Sequence, residues 1–163
     1  MIDPALLTEA EALLALYRAH GLRLVTAESC TGGLIAATLT AIAGSSDVVE
    51  RGFVTYSNEA KAEMLGVDPG LIAEVGAVSE QVARAMVAGA LARSRADVAL
   101  SVTGIAGPGG ATATKPVGLV FLGVWRRGSE PVVDRHVFPG DRAAVRGASV
   151  AAAFRLARAA AQS

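Results

Sequence analysis

Cysteine, histidine and aromatic residues are scarce in this chain of 163 residues. The one cysteine, Cys30, permits no internal disulfide and is typical of a reducing compartment, so we expect a cytoplasmic protein. Two histidines and one cysteine, without HExxH or CxxC spacing, do not make a zinc-binding pattern, and we predict no metal site. Because only seven residues are aromatic and 34 are alanine, the predicted core consists of Leu, Val, Ile and Ala.

Charge is also low, and it is balanced, with 15 Lys and Arg against 15 Asp and Glu. No basic cluster is interleaved with aromatic residues, which argues against a nucleic-acid partner. The longest uncharged stretches, Cys30–Ser46 and Val98–Thr114, are shorter than about 20 residues and include polar side chains, so we predict no membrane span. The first residues lack a basic and then apolar run, and we therefore expect no secretory signal.

The length fits one ordinary domain, and we predict a single domain over residues 1–163. Short β-branched runs alternate with segments of helical periodicity, which predicts a three-layer α/β/α sandwich with a mixed, mostly parallel sheet. Gly52 is expected to mark a bulge in the second strand. The predicted strands cover residues 22–27, 48–56, 98–102, 117–125 and 132–138. The predicted helices lie within residues 3–21, 32–43, 57–66, 80–95 and 141–161.

A first candidate site is the segment TAESCTGG (26–33), which puts Ser29 in a turn between a strand and a helix. A hydroxyl there lies beside free backbone N–H groups, as a nucleophile next to an oxyanion hole requires. Ala27 and Thr31 occupy the glycine positions of G-x-S-x-G, so an α/β-hydrolase elbow has no support. Two alternatives stay open: Ser29 only caps the helix, or Cys30 is the nucleophile.

A serine nucleophile needs a base, and neither histidine is placed to supply it, because His20 ends the first helix and His136 lies in a late strand. Lys61 is the better candidate, since a lysine partly buried among apolar neighbours can lose its proton, while Tyr56 relays or holds that proton. Lysine ordinarily has a pKa near ~10.4, and service at neutral pH requires a drop of ~3 units. The alternative is a solvated lysine on a helix surface.

A glycine-rich segment begins at Thr103 and contains Gly104, Gly107, Gly109 and Gly110. Glycines allow backbone amides to approach a phosphate or carboxylate closely, which indicates an anion cradle. The segment matches neither G-x-x-x-x-G-K-[ST] nor G-x-G-x-x-G, so NTP hydrolysis and dinucleotide binding are not indicated, and we predict no cofactor. The alternative is a flexible crossover loop.

Seven motifs occur in order: TAESCTGG (26–33), AGSS (43–46), ERGFVTYSNEAK (50–61), GAVSE (76–80), SVTGIAGPGG (101–110), KPVG (115–118) and FPGDR (138–142). Together they resemble the CinA C-terminal domain family, from about residue 5 to about residue 160. The resemblance implies a three-layer α/β fold. It also implies hydrolysis of the carboxamide of nicotinamide mononucleotide, giving nicotinate mononucleotide and ammonia for NAD salvage.

By the same resemblance, Ser29 is the expected nucleophile, Lys61 the base and Tyr56 its helper. The expected substrate-binding residues, which give donors to an oxyanion or hold the phosphate, are Cys30, Thr31, Gly32, Gly33, Thr103, Gly104, Gly107, Gly109, Gly110 and Arg142. Residues 111–114 depart from the family pattern of a further glycine and acidic residues. The expected partner is the small-molecule substrate, within a homo-oligomer for which a dimer is the first hypothesis. The alternative is a catalytically inactive nucleotide-binding module of the same fold.

Overall fold

Five strands form one sheet in the computed structural model, which describes residues 1–163. They are β1 (Leu24–Glu28), β2 (Val49–Val54), β3 (Val98–Gly104), β4 (Leu119–Arg126) and β5 (Val132–Val137). Their order across the sheet is β2-β1-β3-β4-β5. β1 pairs in parallel with β2 and β3, whereas β4 runs antiparallel to β3 and β5, so four of the five strands point the same way. The predicted mixed, mostly parallel sheet is confirmed.

Helices cover both faces of this sheet. They are α1 (Pro4–Ala19), α2 (Leu34–Thr40), α3 (Asn58–Leu65), α4 (Pro69–Val75), α5 (Glu80–Ala92) and α6 (Arg142–Gln162). α1, α2 and α6 pack around one core that contains Tyr17, Leu100 and Phe154. α3, α4 and α5 pack on the opposite face, around Val25 and Met86. The three-layer architecture is therefore confirmed. None of the helices combines the length and apolarity that crossing a bilayer requires.

Two helices differ from the sequence-based expectation. α2 begins at Leu34, later than predicted, because Gly32 and Gly33 have φ angles of 58° and 103° and form a turn instead. α4 was not predicted, although Asp68 accepts a hydrogen bond from the N–H of Gly70 and Pro69 occupies its first position. Short helices of this kind are decided by packing on the neighbouring layer more than by their own sequence.

The predicted position of the bulge in β2, at Gly52, was wrong. The register of β2 against β1 slips between Leu24 and Val25, where Glu50 is the extra residue. Gly52 is regularly paired with Thr26, and a Cβ at Gly52 would lie 2.8 Å from the Thr26 hydroxyl oxygen. The glycine is therefore required by close packing of the strands rather than by a bulge.

The order of the strands creates a crevice at the carboxyl end of β1. From β1 the chain passes through α2 to β2 on one side, and from β2 it returns through α3, α4 and α5 to β3 on the other side. In open α/β sheets, such a reversal of direction leaves a crevice where ligands bind. Ser29 is the first residue beyond β1 and therefore lies at this crevice.

Gly89 sets the distance between α5 and α3. A Cβ at Gly89 would overlap the backbone carbonyl of Leu65, the last residue of α3, so α3 rests directly on the backbone of α5. α3 also carries Lys61. The position of the candidate base relative to the sheet thus depends on the missing side chain at Gly89.

We expect Gly89→Ala to lower the free energy of unfolding by about 1–3 kcal/mol, because the new methyl group must push two helices apart. Gly147→Ala in α6 is the matched control, since a Cβ there has no neighbour within 4 Å and alanine favours helix by up to ~1 kcal/mol. Urea unfolding followed by circular dichroism measures both. Equal stability of the two variants would contradict the tight contact between α3 and α5.

Candidate active site

Ser29 and Lys61 are in hydrogen-bond contact. The Lys61 Nζ lies 3.0 Å from the Ser29 Oγ, and the Lys61 residue is only 1% exposed. Nζ also lies 3.1 Å from the carbonyl oxygen of Thr55 and 3.4 Å from that of Tyr56. Lys61 forms no salt bridge. Burial without a counter-ion lowers the pKa of Lys61 below its ordinary value, because desolvation disfavours the ammonium form.

Local structure on both sides brings these two residues together. The N–H of Ser29 donates to the carbonyl of Val102 in β3, at 3.0 Å, which fixes the turn to the sheet. On the other side, the Ser57 Oγ caps α3 by accepting from the N–H of Ala60. Helical side chains point towards the amino end of their helix, so Lys61, in the first turns of α3, extends back towards the crevice.

The turn between β1 and α2 leaves amides free. The N–H groups of Cys30, Thr31 and Gly33 make no hydrogen bond within the chain, whereas Gly32 N–H donates to the carbonyl of Ser29. Free amides immediately after a nucleophile are the donors that an oxyanion needs. The turn therefore has the groups that the sequence led us to expect.

Cys30 lies beside Ser29 in sequence but in a different environment. Burial raises the pKa of the Cys30 thiol to about 11, although its own backbone N–H lowers it. The carboxylate of Glu28 raises the pKa further, against smaller lowering effects of Lys61 and Arg142. Since the thiolate is the nucleophilic form of cysteine, this environment disfavours Cys30 as a nucleophile at neutral pH.

Tyr56 and Arg142 form the rim of the crevice. The Tyr56 residue is 59% exposed, and its hydroxyl accepts a hydrogen bond from Arg142 Nη2 at 3.0 Å. Arg142 Nη1 donates to the carbonyl of Gly107 at 2.9 Å. Tyr56 thus meets Lys61 through its backbone carbonyl, and its phenol faces Arg142 instead. One guanidinium links the glycine-rich loop to the segment that precedes α3.

These elements enclose a cleft of about 280 Å³. Ten of the residues predicted from the sequence line it: Ser29, Cys30, Tyr56, Lys61, Thr103, Gly104, Gly107, Gly109, Gly110 and Arg142. Thr31, Gly32 and Gly33 do not line it. The Thr31 side chain is buried, and the two glycines shape the backbone of the turn. The lining includes the guanidinium of Arg142 and no carboxylate, which favours an anionic ligand.

Five lining residues were missed from the sequence: Asn58, Ala77, Val78, Ile105 and Ala106. Two of them belong to the segment before α5, which Thr103 holds by donating from its hydroxyl to the carbonyl of Ala77 at 2.8 Å. The Nζ of Lys115 donates to the carbonyl of Val75 at 2.7 Å and holds the same segment from the other side. The GAVSE and KPVG motifs were the features of the sequence that could have identified this segment as part of the site.

No three His, Cys, Asp or Glu side chains come together as a metal site.

The fold and the cleft define a class: a three-layer α/β protein with a serine and a buried lysine in contact at the crevice of the sheet. The chain belongs to the CinA C-terminal domain family, whose model matches residues 7–161. The crystal structure of the competence/damage inducible protein CihA from Agrobacterium tumefaciens is similar to it, with a TM-score of 0.95, 46% identity and 98% of both chains covered.

Curated relatives are of two lengths. A nicotinamide-nucleotide amidohydrolase PncC from Escherichia coli K12 is 50% identical over 90% of this chain and 88% of its own length. A CinA-like protein from Geobacter sp. M21 is 59% identical over 82% of this chain, but over only 32% of its own length. The chain therefore spans about a third of the length of the CinA-like relatives and nearly all of the PncC protein.

We expect Cys30 to react slowly with iodoacetamide at pH 7. A shift of its pKa from 9.0 to about 11 leaves about 100-fold less thiolate than in an ordinary cysteine, and the rate should rise with pH towards that value. Intact-protein mass spectrometry measures the rate without ambiguity, since the chain has one cysteine. Urea-unfolded protein is the control and should react like a free peptide. Rapid, pH-independent alkylation of the folded protein near neutrality would show a depressed pKa instead.

Proposed function

We propose that the chain hydrolyses the carboxamide of nicotinamide mononucleotide to nicotinate mononucleotide and ammonia, in the salvage of pyridine nucleotides for NAD. The observation that carries the proposal is the contact between the Ser29 hydroxyl and the buried, unpaired Lys61 amine. The similarity to the E. coli protein named nicotinamide-nucleotide amidohydrolase, along nearly the full length of both chains, supports this choice of substrate.

The contacts of Lys61 suit a neutral amine that acts as a base. A neutral amine has two N–H donors and one lone pair. Nζ is placed to donate to the Ser29 Oγ and to the carbonyls of Thr55 and Tyr56. In the neutral form of Lys61, the two carbonyls can accept both N–H groups, and the lone pair can then accept the hydrogen of the Ser29 hydroxyl. The Ser29 Oγ is 3.5 Å from the carbonyl of Tyr56, so Lys61 is its better hydrogen-bond partner.

Acyl transfer to Ser29 follows from this arrangement. Lys61 takes the proton of Ser29 while Oγ attacks the carboxamide carbon, and the resulting oxyanion accepts hydrogen bonds from the N–H groups of Cys30 and Thr31. The Lys61 ammonium then gives its proton to the departing nitrogen, the C–N bond breaks, and ammonia leaves an ester on Ser29. Water attacks this ester with Lys61 again as base, which releases the carboxylate and restores the serine.

The rim of the cleft is suited to the phosphate of the substrate. Arg142 is exposed at the first position of α6 and already donates to two neutral acceptors, Tyr56 and Gly107. A phosphate is a stronger acceptor for a guanidinium than a phenol or a carbonyl. The N–H groups of Gly109 and Gly110 make no hydrogen bond within the chain and are further donors.

The alternative function is a nucleotide-binding module without turnover. A buried lysine without a counter-ion destabilises the fold, and its contact with the Ser29 hydroxyl suits proton transfer, which favours the enzyme. We also propose that residues 1–163 act as one amidase domain within a homo-oligomer, with a dimer as the first hypothesis. Light scattering after gel filtration measures the oligomeric state.

We expect Ser29→Ala and Lys61→Ala each to reduce kcat by about 10⁴-fold or more, because nucleophile and base act on the same proton. The double variant should be little worse than either single variant, since the second substitution removes a partner that no longer acts. Ammonia release from nicotinamide mononucleotide measures all three. Wild-type protein that binds this nucleotide without releasing ammonia would support the inactive module.

Two control variants sharpen this test. Lys61→Arg should be almost as inactive as Lys61→Ala, because a guanidinium does not give up its proton near neutral pH. Cys30→Ala should retain most activity. An inactive Cys30→Ala protein together with an active Ser29→Ala protein would transfer the nucleophile to the thiol.

For the phosphate contact, we expect Arg142→Ala to lower kcat/KM for nicotinamide mononucleotide by roughly tenfold or more, as one charge-assisted contact contributes ~1.5–3 kcal/mol. The same variant should turn over nicotinamide riboside, which lacks the phosphate, as slowly as the wild type does. Arg155→Ala, at an exposed position of the same helix, is the matched control. An equal loss with both substrates would assign Arg142 to the structure of the rim instead.

A further inference from the structure

Glu28 is a buried carboxylate to which the proposed reaction gives no role. It is the last residue of β1 and is 1% exposed, and it forms no salt bridge. Its Oε1 accepts from the Thr31 hydroxyl at 2.6 Å and from the N–H of Ile35 at 2.8 Å. Its Oε2 accepts from the N–H of Ala36 at 3.0 Å. Three donors thus compensate a charge that has no cation beside it.

These contacts tie the turn to both neighbouring elements. The first N–H groups of a helix lack partners within the helix, and a side chain just before it usually accepts from them. At α2 that position is Gly33, which has no side chain, and Glu28 reaches across from the strand to do the same. The carboxylate thereby joins the end of β1, the side chain of Thr31 and the first turn of α2.

The carbonyl of Thr31 also has hydrogen-bond partners. Its carbonyl accepts from Arg146 Nη2 at 2.9 Å and from the N–H of Leu34 at 3.0 Å, and its hydroxyl is held by Glu28. Only its N–H stays free, next to that of Cys30. The side chain and the carbonyl of Thr31 are therefore anchored to Glu28, Arg146 and the start of α2, immediately after the two peptides that carry the free amides.

We propose that Glu28 is a positioning residue: its carboxylate, through Thr31 and the start of α2, holds the turn so that the Cys30 and Thr31 amides meet the oxyanion at Ser29. This inference rests on the function proposed above. Glu28 does not line the cleft, so its effect passes through the backbone of the turn. Loss of the contact should impair kcat and leave KM nearly unchanged, because the oxyanion exists only after attack.

Thr31→Val and Thr38→Val form a matched pair of variants. Both threonines are fully buried and use their hydroxyl in one hydrogen bond, but Thr38 donates within α2, to the carbonyl of Leu34. Valine keeps the shape of either side chain and removes the hydrogen bond. A general weakening of α2 affects both variants, whereas loosening of the turn affects Thr31→Val alone.

Steady-state kinetics with nicotinamide mononucleotide, together with thermal unfolding of each variant, tests the proposal. We expect Thr31→Val to lower kcat by about 10- to 100-fold, with KM within about threefold of wild type, as for a displaced oxyanion donor. Glu28→Gln keeps one acceptor oxygen and loses the other, and its kcat should fall at least as far as that of Thr31→Val. Thr38→Val should keep the wild-type kcat at a similar loss of thermal stability.

Wild-type kcat in folded Thr31→Val would overturn the proposal, as would a raised KM at unchanged kcat or an equal loss of kcat in Thr38→Val. If Glu28→Gln does not fold, the comparison of the two threonine variants still decides. Wild-type protein that releases no ammonia from nicotinamide mononucleotide would overturn the function proposed above instead, and this result is independent of Glu28 and Thr31.

Discussion

The burial of Lys61 is the constraint on which the rest of the site depends. A buried lysine without a counter-ion loses the hydration of its ammonium group, and no interaction in the fold compensates fully for that loss. The pKa of the lysine falls as a result. The contribution of Lys61 to stability is therefore least favourable below its lowered pKa, where the amine must be protonated inside the fold, and it becomes more favourable as the pH rises towards the ordinary pKa of lysine. The carbonyls of Thr55 and Tyr56 and the bare backbone of Gly89 are the features that make this burial possible.

The same crevice treats two adjacent nucleophilic side chains in opposite ways. Ser29 faces the lysine and the cleft, whereas burial and the carboxylate of Glu28 raise the pKa of the Cys30 thiol. The intrinsically more reactive side chain is thus kept protonated, and the less reactive one is given the base. Environment, more than side-chain type, decides which of the two neighbours can attack a substrate.

Local chemistry explains what could be predicted from the sequence. Ser57, Ser79 and Asp141 cap helices that begin close to the predicted positions, because a cap needs only an oxygen and the next three residues. The pairing of Ser29 with Lys61 was a hypothesis from residue types that the family resemblance strengthened, because the contact itself depends on the parallel pairing of β1 and β2, which no local pattern predicts. The direction of the Tyr56 phenol depends on Arg142, a side chain far along the chain, and periodicity carries no signal for it. The partners of Glu28 are close in sequence, but its bonds depend on the turn that Gly32 and Gly33 form, and periodicity carries no signal for that turn either. The resemblance implied Gly32 and Gly33 as substrate-binding residues, but in the structure their positive φ angles shape the turn and they do not line the cleft.

The position of β1 between β2 and β3 has a consequence for how the molecule assembles. Parallel partners cannot be joined by a hairpin, so each pairing of β1 must wait until an intervening helical segment has crossed the sheet. Contacts of such long sequence separation form slowly, because the loop must close before any contact compensates for its lost entropy. The helices and the hairpin of β4 and β5 can form before β1 pairs with its neighbours, but the crevice cannot. During folding, Ser29 and Lys61 therefore come into contact only when the sheet is nearly complete.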